Sequence, residues 1–96
     1  MVHTSFRHLE KFVTEQYASL GIAHVAEDTF TIGKGARKLT IKYEPGDLIF
    51  FQMEPGTPSG YFKIDKNWGG PKLFLNKQPE PLHTDQAAEY LIRLCY

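Results

Sequence analysis

Between Ile22 and Asn76, glycine and proline interrupt a period-two pattern about every eight to twelve residues, and no link between the strands they mark off is long enough to hold a helix. Two parallel strands need a crossover of about a dozen residues or more. Any sheet built from this segment is therefore antiparallel, with strands following one another through short turns. The spacing places strands near residues 29–33, 37–43, 48–53, 60–65 and 72–76. Gly33-Lys34-Gly35-Ala36 supplies a hairpin, and Glu44-Pro45-Gly46-Asp47 has proline and glycine at the central positions of a type II turn. Glu54 to Ser59 is too long for a tight hairpin, and Asp65 to Pro71 is a loop with Trp68 at its tip. Pro79 and Pro81 are expected to end the sheet, because proline has no N–H to give to a ladder.

The flanks change period. Phe6, Leu9, Phe12, Val13, Tyr17 and Leu20 recur at three- and four-residue spacing, which predicts an amphipathic helix over 5–20, stopped by Gly21. Thr84 is the expected N-cap of a second helix whose stripe is Ala87, Leu91 and Leu94, widened by Ala88 and Cys95. The expected fold is α+β: a five-stranded, mainly antiparallel meander flanked by an N-terminal and a C-terminal helix, in the order α-β-β-β-β-β-α. Residues 1–96 are expected to form a single domain, since this length suits one core and no more.

With 42% hydrophobic residues, the chain has the apolar surface a globular domain requires. Cys95 stands alone, which rules out an intrachain disulfide and fits a cytoplasmic protein. No apolar run is long enough for a membrane span, so a membrane role is not expected. Eleven basic and eleven acidic side chains balance overall, but unevenly along the chain. Residues 31–77 carry eight Lys and Arg against four Asp and Glu, while residues 1–30 and 78–96 each have two more acids than bases.

Strand parity carries the functional argument. Leu39, Ile41 and Tyr43 share one face of their strand, and Lys38, Thr40 and Lys42 share the other. Phe62 and Ile64 oppose Tyr61 and Lys63, and Leu73 and Leu75 oppose Lys72, Phe74 and Asn76. Each strand thus has an apolar inner face and an outer face that mixes lysine with aromatics. The middle strand, Leu48 to Met53, is apolar on nearly every residue. If Glu44 and Asp47 flank a two-residue turn, Tyr43 pairs with Leu48, and Ile49, Phe51 and Met53 point outward; a slip of one residue exposes Leu48 and Phe50 instead. Such a strand has two readings. Either a helix or long loop covers each face, or both helices share the inner face and the outer face is an interaction surface.

On the second reading the partner-binding residues are Phe51, Tyr61, Trp68 and Phe74, set among Lys38, Lys42, Lys63 and Lys72. The expected function is a non-enzymatic interaction module, of an inhibitor, adaptor or immunity type, that engages a protein partner or a second copy of itself. The first alternative is a single-stranded nucleic-acid binder using the same face. The second is a small enzyme with a site gathered from distant residues. His3, His8, His24 and His83 have no ligand spacing, so no metal is expected. No cofactor motif occurs: Gly33-Lys34-Gly35 is followed by a strand where a phosphate loop requires a helix. No catalytic residue is singled out, because neither Cys95 nor Ser59 has the setting of a nucleophile.

Overall fold

A computed structural model of the chain describes residues 4–33, 38–54, 59–65, 72–75 and 80–95. It shows an α+β fold with an antiparallel sheet and two helices, one near each end. Helix α1 spans Thr4–Gln16 and is followed by a 3-10 turn at Ala18–Leu20. Gly21 stops it at a φ of 81, a left-handed backbone that costs glycine nothing. Helix α2 spans Thr84–Cys95. Asp85 in its first turn and Arg93 in its last both favour the helix dipole. The cap of α2 is His83 rather than the expected Thr84. The His83 carbonyl accepts from the Ala87 N–H at 2.9 Å, and the His83 N–H donates to Gln86 Oε1 at 2.9 Å. Gln86 thereby performs the reach-back half of a capping box.

Among the described residues seven strands, not five, lie between the helices, each paired antiparallel with its sequence neighbours. They are β1 (Ile22–Ala26), β2 (Thr29–Ile32), β3 (Lys38–Glu44), β4 (Leu48–Glu54), β5 (Ser59–Asp65), β6 (Lys72–Leu75) and β7 (Pro81–Leu82). The two additional strands are the edges of the sheet. In β1 every residue from Ala23 to Ala26 is exposed, so the alternation that betrays a half-buried strand is missing. In β7 the proline sits at the first position of an edge strand, where a missing N–H interrupts nothing. Both edges are poor templates for further pairing: β7 is two residues long and begins with proline, and β1 has a bulge between His24 and Ala26.

Both helices lie on one face of the sheet. From α1, the Phe6 ring meets Phe30 at 5.6 Å and Tyr43 at 6.0 Å. From α2, the Tyr90 ring meets Phe51 at 5.8 Å and Phe62 at 6.2 Å. Phe30 pairs with Ile41 and Ile41 with Phe51, so these contacts all belong to the same side. One apolar cluster results: Phe6, Leu9 and Val13 of α1 and Ala87, Ala88 and Leu91 of α2 close over Phe30, Ile32, Leu39, Ile41, Ile49, Phe51, Met53, Phe62, Ile64 and Leu73.

The β3–β4 hairpin is shifted by one residue from the two-residue turn the sequence suggested. Glu44 pairs with Leu48, Tyr43 with Ile49 and Ile41 with Phe51, so the loop is the three residues Pro45, Gly46 and Asp47. Gly46 has a φ of 96 and Asp47 a φ of 61. Aspartate is among the few side chains that visit this region readily. Asp47 is also held there: the Tyr43 hydroxyl donates to Asp47 Oδ1 at 3.0 Å, and the Ile64 N–H donates to the Asp47 carbonyl at 2.8 Å. A single extra loop residue inverts every side chain of the strand that follows. Ile49, Phe51 and Met53 therefore enter the core, and Leu48, Phe50 and Gln52 face outward.

Candidate functional site

With both helices on the inner face, no helix among the described residues covers the outer face of β3, β4 and β5, and backbone pairing sets its side chains in rows. One row runs Thr29, Lys42, Phe50, Tyr61 across β2 to β5; the next runs Glu44, Leu48, Lys63, Phe74 across β3 to β6. A third joins Thr31, Thr40, Gln52 and Ser59. Phe50 is 41% exposed, high for a phenylalanine, and its ring lies 5.8 Å from that of Tyr61 at an interplanar angle of 46°. The ring pair lines a shallow depression of about 380 Å³ together with Phe51, Gln52, Ser59 and Gly60. Lys38, Lys42 and Lys63 are exposed around it. Lys42 reaches Glu44 Oε1 at 3.5 Å, a surface pair of small energetic weight. Lys38 and Lys63 make no ion pair among the described residues.

The predicted residues divide accordingly. Tyr61 and Phe74 are partly exposed on the outer face, together with Lys38, Lys42 and Lys63. Phe51 is not on this face: it is 2% exposed and packs against Phe62 and Tyr90. The register shift exchanges it for Phe50, the neighbour that the alternative pairing would have exposed. Lys72 pairs through its backbone with Asp65, and its side chain lies outside the described residues. Trp68 also lies outside them.

Two further places bear on chemistry. A groove of about 530 Å³ runs between α2 and the β6–β7 edge, walled by Leu75, Leu82 and Tyr90 with Glu80, Gln86, Glu89 and Arg93 at its rim. The Arg93 guanidinium is held by Glu89 at 2.5 Å, one turn back on the same helix. On the opposite side, sequence reasoning missed a polar chain joining α1 to β1. His24 Nδ1 lies 3.1 Å from Glu10 Oε2, Arg7 Nη1 lies 3.7 Å from Glu10 Oε1, and Arg7 Nη2 donates to Glu27 Oε1 at 3.2 Å. Thr14 Oγ1 stands 3.5 Å from His24 Nε2, which completes a hydroxyl, imidazole and carboxylate in order. A nucleophile it is not: the Thr14 hydroxyl donates to the Glu10 carbonyl at 2.7 Å, so its proton is committed to its own helix. The arrangement ties an exposed edge strand to a helix. Apart from Arg7 and Glu10, three residues apart on α1, its partners are ten to twenty residues apart in sequence, and no local spacing signals them.

Among the described residues, no group of three His, Cys, Asp or Glu side chains is placed to hold a metal ion, and no helix is long and apolar enough to cross a membrane. The Tyr43 phenol is held above its ordinary range by burial first, and then by the hydrogen bond to and negative charge of Asp47. Comparison with protein families, with curated proteins and with solved structures returns no match.

Proposed function

We propose that this chain is a non-enzymatic interaction module, of an inhibitor, adaptor or immunity type, that binds a protein partner through the outer face of its sheet. The observation that carries the reading is the exposure of Phe50 beside Tyr61 on a face no helix covers, ringed by Lys38, Lys42 and Lys63. A pair of aromatic rings grouped within a polar rim is a composition found at interface centres. A second occupant, single-stranded nucleic acid, would use the same rings and lysines. The balanced overall charge and the scarcity of arginine weigh against it.

The test is capture and cross-linking with the immobilised chain, comparing wild type, Phe50→Ala and a helix-side control, Lys11→Ala. Partner recovery is expected to fall at least about tenfold with Phe50→Ala, the size of an interface anchor, and to be unchanged with Lys11→Ala. Equal recovery by all three would reject the outer face as the binding surface.

A further inference from the structure

We infer that the outer face receives an extended acidic segment of its partner, with carboxylates on Lys42 and Lys63 and one apolar side chain between them on Phe50 and Leu48. This rests on the reading of that face as a protein-binding surface and adds the chemistry of what binds.

The geometry follows from the register. Lys42 lies on β3 and Lys63 on β5, two strands apart and one row apart. At the usual strand spacing and rise their Cα atoms are about 12 Å from each other. The line between them passes over β4 between Phe50, the partner of Lys42, and Leu48, the partner of Lys63. The diagonal therefore reads cation, apolar pair, cation. In an extended peptide, side chains four residues apart point the same way at a separation of about 13 Å, with the intervening like-facing residue midway. An acid, spacer, apolar, spacer, acid sequence matches this diagonal in both spacing and sign.

Charge selects among occupants. Lys63 has no carboxylate partner among the described residues. Lys42 shares Glu44, 37% exposed, in a surface pair that a second carboxylate can join at little cost. A second copy of the chain, docked sheet to sheet about a two-fold axis, would set the three lysines of one face against three of the other, with Glu44 alone among the described side chains of β3 to β5 to offset them, and that excess of like charge opposes association. The 46° tilt between the Phe50 and Tyr61 rings denies a nucleobase one flat platform spanning both.

The test is titration of the full chain, followed by backbone amide NMR, with a synthetic peptide carrying Glu-Ser-Tyr-Ser-Glu twice. Two further probes are the same peptide with lysine for glutamate and an oligothymidylate of similar extended length. The acidic peptide is expected to shift amides of β3, β4 and β5. Lys63→Glu should weaken it about tenfold or more, and Lys11→Ala, on α1 and away from the outer face, by no more than about twofold. Preserved amide dispersion in the variants separates lost binding from lost folding. Binding of the lysine peptide to the same amides would overturn the carboxylate preference and leave the interaction face standing. Preferential binding of the oligothymidylate, steeply weakened by salt, would overturn both, as would silence of the outer face towards all three probes up to millimolar concentration.

Discussion

Phe50 and Phe51 are the same residue one peptide bond apart, and they occupy opposite worlds: Phe51 is enclosed by Phe62 and Tyr90, while Phe50 is 41% exposed. The same contrast runs through the whole sheet. Its inner face packs an apolar core against two helices; its outer face mixes lysine, hydroxyl and ring. What separates them is parity alone, which teaches that the identity of a side chain says less about its role than the count of residues in the turn before it.

Substitutions can break this comparison. Phe51→Ala should have the largest effect, about 3–5 kcal/mol of stability, because it opens a cavity among close-packed rings; a denaturant melt showing little change would put Phe51 outside the core. Asp47→Val comes next, at about 2 kcal/mol or more. A β-branched residue is strained at a φ of 61, and the Tyr43 hydrogen bond is lost as well. Amide NMR of that variant would report whether β4 keeps its register.

Tyr43→Phe should cost about 1 kcal/mol near neutral pH. It also sharpens the alkaline side of the comparison. The folded-state pKa of Tyr43 is raised, so its contribution is fully present below the ordinary tyrosine range near pH ~10 and is lost as pH rises through the higher folded value. Wild-type stability should therefore fall above about pH 10 more steeply than that of Tyr43→Phe, as followed by chemical denaturation across that range. Phe50→Ser is the mildest, within about 0.5 kcal/mol in the same melts, as for a surface position away from the core. A loss comparable to that of Phe51→Ala would erase the distinction between the faces.

The helices and β2 to β6 were legible because burial on one side imprints a period on the sequence. Phe6, Leu9 and Val13 keep the helical spacing, and Leu39 and Ile41 alternate with Lys38, Thr40 and Lys42. The edges were not legible: β1 has almost nothing buried to alternate with, and Pro81 masks a strand that needs no donor at that position. The register of β4 was illegible for a different reason. Both faces of Leu48 to Met53 are apolar enough to be core, so the decision falls to Asp47 adopting a left-handed backbone, which composition does not announce. The candidate site inherits that ambiguity. Tyr61, Phe74 and three lysines sit where strand alternation put them, and Phe50 stands in the place assigned to Phe51.

The strict order of the sheet has a kinetic consequence. Every strand pairs with its sequence neighbour, so the meander can zip up through local turns with little loop entropy to overcome. The contact between α1 and α2 is different, because the entire sheet lies between them in the chain. Until α2 docks, part of the inner face has no cover, and an intermediate halted there would expose apolar rings on both sides of β4 at once. The second helix thus closes a seam between the two ends of the chain, and Ala87, Ala88 and Leu91 are the side chains with which it completes the cover of the inner face.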